Sequence, residues 1–523
     1  MTALLDFYSA RLLVTFVSLV LLFILRYRTY RRLSQFRGPL STGWLELWHI
    51  RAILSMRSHE WYREATDKYG SVTRVGPNDL ITNSPDLLAH MSAVRSPYTR
   101  AAWYNRATRV EPGKDHLFSL LDEDTHTKRR QKMATAYSGK ENTSLEPSID
   151  LRVQQLIQLI RSKYLSSSNS KTPSKPMDLA RKIQYFTLDV ISYIGFGQAF
   201  GDLEADDDVH EYIAASEAGL NLMVYVCGLG LTPLIQWPPI ARLLGPSEKD
   251  KSGHGKMMRT ARRLINDRID KLETSKEKGN DMTASFLHRG LTKDEIFTEA
   301  YLQILAGSDT TATAIRCLML HIVSNPRVYN MLQAEIDNAF NDGLVQADGI
   351  ISEAVASTLP YLQAVIREGL RIHPPITDVV PKVVPKGGDS LIVDGVLTHF
   401  PEGTNIGYDV FGLARRRDLF GEDVDVFRPE RWISKELSDG DSERMEVMRR
   451  TTEMIFGHGK YQCLGKPIAW MEMHKVIFEL LRYFDWSIAK PATPWRSINC
   501  IGIFLQQELW MVVTERNVEL LLG

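Results

Sequence analysis

The chain has 523 residues, 44% of them hydrophobic, and its 63 basic residues balance 63 acidic ones. This balance gives no overall field toward nucleic acid, so we expect no nucleic-acid partner. The four cysteines form no C-x-x-C pair, which argues against a disulfide framework or a structural zinc site and fits a reducing compartment; they are Cys227, Cys317, Cys463 and Cys500.

The first distinct segment is an uncharged apolar run from Leu12 to Leu25. Nothing like a small-residue cleavage site follows it, but several arginines do, and positive charge on this flank holds that side in the cytoplasm; they are Arg26, Arg28, Arg31, Arg32 and Arg37. We predict a membrane anchor with its basic flank over residues 1–30 and a cytosolic body over residues 31–523. A cleaved signal peptide and a buried N-terminal helix are the alternatives.

The body shows no internal repeat and no linker long enough to divide domains, although its length alone favours two or three. Helical periodicity dominates its middle and C-terminal third, and strand-like segments are short, such as Ser71–Val75, Ser390–Val396 and Leu509–Thr514. The polar segment 435–444 is typical of a surface loop. The sequence predicts a mainly α protein with a small β portion.

A basic run, Lys128-Arg129-Arg130, follows His126. Such a run is usually a solvated face, and it could also be a docking surface for an acidic partner.

The longest helical pattern runs from about Thr292 to Ser324, about 50 Å at 1.5 Å per residue. It opens with a capping box, Thr292 to Glu295, and Asn325-Pro326 supplies its stop. The helix is apolar on several faces and must be buried, yet its centre reads A-G-S-D-T-T from Ala306. A glycine and an aspartate there cost helix propensity and desolvation, so these residues need a functional reason. The alternative is a back-bonded Thr310 and a paired Asp309.

A helix beginning at Pro360 carries Glu368 and Arg371 at an i, i+3 spacing, and Pro429-Glu430-Arg431 lies downstream. Taken alone, Glu368 and Arg371 would be a surface ion pair worth about 0.2–0.5 kcal/mol.

The sharpest signal is the loop Phe456-Gly-His-Gly459-Lys-Tyr-Gln-Cys463-Leu-Gly465. Its glycines allow close backbone approach and positive φ. Pro467 suits the first turn of a helix running to about Arg482, which places Cys463 just ahead of a helix N-terminus. The dipole and free amides there favour a thiolate. The alternative is a buried cysteine that only packs in the core and takes no part in chemistry.

This loop resembles the heme-binding signature of the cytochrome P450 family, F-x-x-G-x-R-x-C-x-G. Phe456, Gly459, Cys463 and Gly465 match, whereas Tyr461 stands where the family usually has a basic residue contacting a heme propionate. The resemblance implies heme b with Cys463 as the axial ligand of its iron. His458 more readily faces a propionate or solvent than the iron.

The other motifs match the same family in order and spacing. The resemblance implies that Glu368, Arg371 and Arg431 form a buried structural triad. It implies that Asp309 and Thr310 relay protons to oxygen bound in the pocket, and that Gly307 lets the helix run close to the porphyrin. His126 and Arg130 resemble a propionate-binding pair, and Lys382 stands where many relatives carry an arginine for the other propionate. It also implies one large helical catalytic unit.

The implied function is insertion of one oxygen atom from O2 into a lipophilic small molecule. Electrons would come from NADPH through the membrane-bound NADPH-cytochrome P450 reductase, with cytochrome b5 as an optional donor, at the endoplasmic reticulum. The loop G-K-Y-Q-C-L-G-K is similar to fungal pisatin-demethylase-like members, which suggests a secondary metabolite of terpenoid, polyketide or indole type. Oxidative coupling, desaturation or rearrangement without oxygen insertion is the alternative, and a heme-based sensor or tethered interaction protein is a third class.

By family analogy the substrate pocket draws its walls from several separate segments. These are Arg95–Leu121, Phe200–Gly255, the helix near Ile304 and Leu305, Ile376–Val380 and Ile501–Phe504. Their side chains are mostly apolar, which fits a lipophilic substrate but equally fits an ordinary core; they include Trp103, Leu117, Phe118, Val379 and Phe504.

Overall fold

The computed structural model describes residues 2–139, 142, 144–166, 175–275, 279–377, 379–433 and 439–516. Its longest buried element is a helix of 31 residues, Lys293–Val323, which spans about 47 Å. Both arms of the predicted capping box form, because the Thr292 hydroxyl accepts from the Glu295 N–H and the Glu295 carboxylate accepts from the Thr292 N–H. The predicted start and end of this helix are confirmed.

The helices follow the chain in this order: α1 Thr2–Arg32, α2 Leu47–Leu54, α3 Ser58–Tyr69, α4 Pro85–Ser92, α5 Trp103–Thr108, α6 Glu123–Tyr137, α7 Leu145–Lys163, α8 Leu179–Phe196, α9 Asp202–Ala205, α10 Tyr212–Gly228, α11 Thr232–Ile235, α12 Pro238–Leu244, α13 Gly253–Ser275, α14 Met282–His288, α15 Lys293–Val323, α16 Pro326–Asn341, α17 Glu353–Ala356, α18 Pro360–Ile372, α19 Val410–Leu413, α20 Arg417–Phe420, α21 Asp439–Glu453 and α22 Lys466–Tyr483. Short 3-10 helices occur at Pro429–Trp432, Met454–Phe456 and Gly459–Tyr461.

The strands are β1 Val72–Arg74, β2 Asp79–Thr82, β3 Thr99–Arg100, β4 Met177–Asp178, β5 Lys382–Val383, β6 Asp389–Val393, β7 Val396–Phe400, β8 Asn405–Tyr408, β9 Phe484–Ile488, β10 Arg496–Cys500, β11 Ile503–Gln507 and β12 Trp510–Glu515. They form one five-stranded sheet in the order β1-β2-β8-β5-β3 and smaller sheets β4-β12-β9, β10-β11 and β6-β7. The predicted mainly α fold with a small β portion is confirmed.

The main core surrounds α15, which packs most extensively along α8 and also contacts α13, α18 and α22. Gly307 faces α8, since an ideal Cβ there would lie 2.9 Å from Cγ1 of Ile191. The glycine therefore allows two helices to pack closely, and its expected role beside a porphyrin stays a prediction.

The segment expected to be a loop at 435–444 is partly helical. Residues 435–438 lie outside the described residues, and α21 begins at Asp439. This helix is mostly polar and exposed, but its Met448 is buried with Phe420 and Trp432. One apolar contact site per several turns is too weak a periodic signal to predict a helix.

The N-terminal helix is apolar and open to its surroundings. Within α1, the span Arg11–Arg32 has a mean hydropathy of 1.8 and none of it is buried, and among the described residues it is the one helix long and apolar enough to cross a membrane. Its end contacts the body, because Arg32 Nη1 donates to the Glu402 carbonyl over 2.8 Å and Phe36 stacks on Phe400.

Candidate active site

The cysteine loop is closed by its own backbone. The Cys463 N–H donates to the Phe456 carbonyl over 2.6 Å. Gly457 and Gly459 take positive φ values of 74° and 55°, and a Cβ on Gly459 would lie 2.1 Å from the Ser92 carbonyl oxygen at the end of α4. Gly465 has an ordinary φ of −77° and caps α22, which begins one residue before Pro467. Phe456 packs against the main core.

The Cys463 side chain is open on one side but lies deep among neighbouring atoms. Burial raises the pKa of its thiol, whereas N–H groups of Gly465 and Lys466, which donate to Sγ, and the charge of Arg130 lower it. Burial has the larger effect on the pKa of the thiol, and the donors oppose it. The amides nevertheless point at Sγ, as a helix N-terminus arranges them.

The side chains of Asp309 and Thr310, at the centre of α15, point in different directions. The Thr310 hydroxyl donates to the Ala306 carbonyl over 2.7 Å, and Ala306 is exposed. The Asp309 carboxylate instead accepts from Gln184 Nε2 of α8 over 2.5 Å and from Ser216 Oγ of α10 over 3.2 Å. Burial raises the pKa of Asp309. These contacts match the alternative of a back-bonded threonine and a paired acid.

Glu368, Arg371 and Arg431 come together with side chains at most 2% exposed. Arg371 binds the Glu368 carboxylate through Nε at 2.9 Å and Nη2 at 2.7 Å, and Arg431 Nε donates to the same carboxylate over 2.9 Å. The Arg428 N–H and Trp432 Nε1 complete its acceptor sites. Although burial alone would raise it, these cations hold the pKa of Glu368 below its ordinary value.

The arginines of this triad also tie α18 to the segments ahead of the cysteine loop. Arg371 Nη1 donates to the Ala414 and Val424 carbonyls, and Arg431 Nη1 donates to the Phe420 carbonyl. The triad is thus a fully hydrogen-bonded buried network.

Tyr461 lies in a cluster of cations. The Arg100 guanidinium of β3 stacks over its ring at 4.6 Å, and Lys382 Nζ of β5 lies 3.7 Å from its centroid. Lys382 is buried and donates to the Tyr104 hydroxyl over 2.7 Å. Burial and Arg100 hold the pKa of Lys382 well below its ordinary value.

His126 joins the same cluster as a neutral acceptor. Arg100 Nη2 donates to His126 Nε2 over 3.0 Å. Burial and the charge of Arg100 lower the pKa of His126 to about 3. Arg130 lies on the same helix near Cys463 and, within the described part of the chain, has no hydrogen bond or ion pair.

These residues fit the heme that the sequence resemblance implies. Arg100, Arg130 and Lys382 form no ion pair with a described carboxylate, and the buried atoms Arg100 Nε and His126 Nδ1 have no partner among the described residues. Buried cations without an anion are costly, and the two carboxylates of heme would match them. The exposed Sγ with its amide donors fits an iron ligand. His458 is exposed at the loop surface.

A small open pocket lies beside Asp309. Predicted wall segments supply Ile213 and Phe504 to it, whereas Leu117 and Val379 lie buried in separate core clusters. Phe118 and Trp103 both contact Tyr104. The predicted walls therefore meet this cavity only in part.

Sequence reasoning missed Arg100, Tyr104, Gln184 and Arg316. Arg100 and Tyr104 belong to a two-residue strand and a six-residue helix without a motif. A usable signal existed for Gln184, which is a polar residue within the almost wholly buried helix α8.

The comparisons with known proteins agree with this site. The family model for cytochrome P450 matches residues 38–512. The chain is similar to cytochrome P450 monooxygenase ABA1 of Pyricularia oryzae, at 41% identity over 93% of both chains. It is also similar to cytochrome P450 monooxygenase aba1 of Botryotinia fuckeliana, at 37% identity over 90% of this chain and 89% of that protein. A third relative, cytochrome P450 monooxygenase abl1 of Leptosphaeria maculans, is 34% identical over 86% of this chain and 77% of its own. A match along nearly the whole body and relatives of nearly equal length show that the chain belongs to the cytochrome P450 monooxygenase family.

Proposed function

We propose that this monooxygenase inserts one oxygen atom from O2 into a lipophilic secondary metabolite, with Cys463 as the ligand of a heme b iron. The observation that carries the proposal is the Cys463 thiol, open on one side and facing the N–H groups of Gly465 and Lys466. The similarity of its loop to fungal pisatin-demethylase-like members supports a secondary-metabolite substrate.

The bound heme supplies O2 activation and the redox chemistry, and the protein supplies its cradle. Arg100 and Arg130 would neutralise the propionates. His126 Nδ1 would be a further donor, and Lys382 would add positive charge to the same cluster. Tyr461 stacks under Arg100 and thereby fills the position where the family usually has a cation. Phe456, Gly459 and Gly465 would shape the loop that holds Cys463 toward the heme. The triad of Glu368, Arg371 and Arg431 holds α18 against the segments that precede the cysteine loop.

Asp309 and Thr310 would handle protons. The Thr310 hydroxyl donates its hydrogen bond to the Ala306 carbonyl, so its oxygen can accept a hydrogen bond from a water. Burial raises the pKa of Asp309, which favours an acid that can hold a proton for transfer. The pair favours oxygen insertion over chemistry that needs no proton supply.

Exposed apolar residues support a membrane location. They lie on α10, α12 and the segment between them, and include Leu222, Trp237, Leu243 and Leu244, which are 62%, 56%, 79% and 76% exposed. Together with α1 they give two apolar surfaces on one chain. We propose that residues 1–30 anchor the catalytic body, 31–523, to the endoplasmic reticulum and that the substrate arrives partly from the bilayer.

The electron donor would be NADPH-cytochrome P450 reductase, with cytochrome b5 as an optional second donor. Lys128 of α6 is exposed, and Lys132 lies on the same helix beside the Arg130 that faces Cys463. Exposed cations on the helix that carries Arg130 suit the acidic face of a flavoprotein.

Turnover with isotope-labelled O2 and reductase tests the proposal. We expect one labelled oxygen in the product, and unlabelled product would indicate coupling, desaturation or rearrangement. Thr310→Val should lower product per NADPH about tenfold or more and release peroxide, because the hydroxyl acceptor is lost. Thr311→Val, one position along α15 and buried, is the matched control. Unchanged coupling in Thr310→Val would remove Thr310 from the mechanism.

A further inference from the structure

The end of the N-terminal helix α1 is bound by a buried arginine of the body. Arg74 of β1 is 2% exposed, and its Nη1 donates to the Tyr30 carbonyl over 3.1 Å and its Nη2 to the Thr29 carbonyl over 3.4 Å. Carbonyl oxygens in the last turn of a helix carry the negative end of its dipole, so this cation lies where the helix favours positive charge. Arg74 therefore binds α1 directly to the five-stranded sheet.

The same arginine also binds two segments beside α1. Its Nη2 donates to the Gly43 carbonyl over 3.3 Å, in the segment after α1, and to the Pro77 carbonyl over 2.7 Å, in the turn between β1 and β2. Its Nε donates to the Gly76 carbonyl of that turn over 3.1 Å. The Arg74 N–H donates to the Arg37 carbonyl over 2.8 Å. One residue thus ties together the anchor, the segment that follows it and the sheet.

The segment after α1 folds back along the helix. The Trp44 ring stacks on Tyr30 with centroids 4.9 Å apart, and its centroid lies 6.0 Å from that of Phe23 and 6.4 Å from that of Tyr27. An ideal Cβ on Gly43 would lie 2.7 Å from Cδ2 of Tyr30, so the lack of a side chain at Gly43 allows this contact. The ring contacts reach from Tyr30 back to Phe23, about 10 Å along the helix axis. Contacts over that length hold the direction of α1, whereas contacts at its end alone would let it pivot.

Further contacts fix the rotation of α1 about its own axis. Arg32 Nη1 donates to the Glu402 carbonyl, between β7 and β8, over 2.8 Å, and its Nη2 donates to Asn78 Oδ1. Just after the helix, Phe36 stacks on Phe400 with centroids 5.6 Å apart. The anchor is thus held by separate segments of the body from several directions.

Exposed apolar side chains follow this joint along the chain. Leu40, Leu45 and Leu47 are 103%, 50% and 49% exposed. They precede or begin α2, and the end of α2 packs on α10, since an ideal Cβ on Gly228 would lie 2.9 Å from Cδ2 of Leu54. Because α10 also begins the exposed apolar surface that is proposed to face the membrane, these leucines extend that surface toward the anchor.

We propose that Tyr30, Trp44 and Arg74 form an anchor clamp that fixes the angle between α1 and the catalytic body. The clamp places the exposed leucines of the joint against the same lipid surface as the segment from α10 to α12. The occupant of this face is the boundary between headgroups and acyl chains of the bilayer, where tryptophan and tyrosine rings are favoured. The body therefore keeps one tilt on the membrane and does not turn on a flexible linker. The inference rests on the proposed membrane anchor and adds the residues that set its orientation.

Limited proteolysis of the full-length holoenzyme in phosphatidylcholine vesicles tests the clamp. Trypsin cleaves after Arg32 and Arg37, whose side chains are exposed although their backbone belongs to the held segment. Because proteolysis needs local opening, Arg74→Met and Trp44→Ser should each raise the rate of cleavage at these two sites about tenfold or more. Arg51→Met, on an exposed arginine of α2, is the matched control and should be cleaved there at the wild-type rate. Mass spectrometry of the fragments identifies the sites.

Orientation on the membrane provides the second readout. Polarised absorption of the heme on supported phosphatidylcholine bilayers should show strong dichroism in the wild type and in Arg51→Met, because the body keeps one tilt. Arg74→Met and Trp44→Ser should lower the dichroism, because the body can then turn relative to the anchor. If Arg74→Met does not fold, Trp44→Ser decides alone.

The outcomes separate the clamp from the anchor. Wild-type cleavage and dichroism in Trp44→Ser, or an equal rise of cleavage in Arg51→Met, would overturn the inference. If the wild type floats with the vesicles but is cleaved after Arg32 as fast as after Lys386, in an exposed turn before β6, the anchor stands and the clamp fails. If the wild type does not float with the vesicles, the proposed anchor fails and the inference with it. Proteolysis does not depend on the heme reaction, so a failure of the proposed oxygen insertion would leave its result unchanged.

Discussion

Two buried clusters of charge in this protein differ in how completely their charges are paired. Around Glu368, one carboxylate meets two arginines, and every acceptor site of that carboxylate is filled. Around Tyr461, the cations Arg100 and Lys382 form no ion pair with a described carboxylate, because Glu123 accepts from the Tyr461 hydroxyl and pairs with Lys460. Arg100 Nε has no acceptor among the described residues. Both clusters are buried, so solvent satisfies neither.

The difference separates structure from ligand binding. A closed network of opposite charges needs nothing further and holds segments together. A buried cluster with more cations than carboxylates is costly unless further anions join it, and the propionates of heme are such anions. Unmatched buried charge is therefore a better guide to the cofactor site than the presence of charge itself.

The largest expected effect comes from opening the closed cluster. Glu368→Gln keeps the shape of the side chain but leaves Arg371 buried without a counterion and Arg431 with Asp423 alone, which should cost about 3–5 kcal/mol of unfolding free energy. Urea unfolding of the holoenzyme measures it. Glu430→Gln, in the same P-E-R segment but in a largely exposed ion pair with Arg327, should cost under about 1 kcal/mol. Equal losses in the two variants would contradict a special role for the triad.

A smaller effect should follow from removing one cation of the open cluster. Arg100→Met should raise the rate of heme release to an acceptor protein about tenfold, because a charge-assisted hydrogen bond to a propionate is lost. Arg106→Met, on an exposed residue of the neighbouring helix α5, is the control and should release heme like the wild type. Heme release at the wild-type rate in Arg100→Met would show that the cluster is not a propionate site.

Glu299 is an intermediate case and gives the smallest effect. Its carboxylate accepts from the Leu117 N–H and from Arg129, which Glu295 shares, and burial raises the pKa of Glu299 to about 8. The folded state thus holds a proton that the unfolded state loses near 4.5, so stability should fall as pH rises from about 4.5 to about 8. Glu299→Gln should flatten that fall in urea midpoints measured across this window. An unchanged slope would mean that Arg129 keeps Glu299 ionised.

Much of this molecule could be predicted where a single stretch of chain carries the information. The capping box at Thr292, Pro360 and Pro467 each fixed a helix start within one residue, because caps and proline geometry act locally. The polar helix α21 was missed because its buried face holds one apolar residue, Met448, beside Thr451 and Thr452, which leaves no apolar periodic stripe.

The site could likewise be predicted only where its residues lie within one stretch of chain. Cys463 and the residues of the triad lie in linear motifs, whereas Arg100 reaches Tyr461 across more than three hundred residues, a pairing that only the folded chain reveals. The direction of the Asp309 side chain depends on Gln184 and Ser216, which come from two other helices. Long-range contacts of this kind leave no spacing to detect in the sequence.

The most direct test of the account is the absorption of the purified protein after chemical reduction and exposure to carbon monoxide. Ligation of heme iron by ionised Cys463 predicts the far-red-shifted Soret band of a thiolate complex, and Cys463→His should replace it with the shorter-wavelength band of an imidazole complex. A wild-type protein that binds heme yet shows only the shorter-wavelength band would contradict Cys463 as the thiolate ligand.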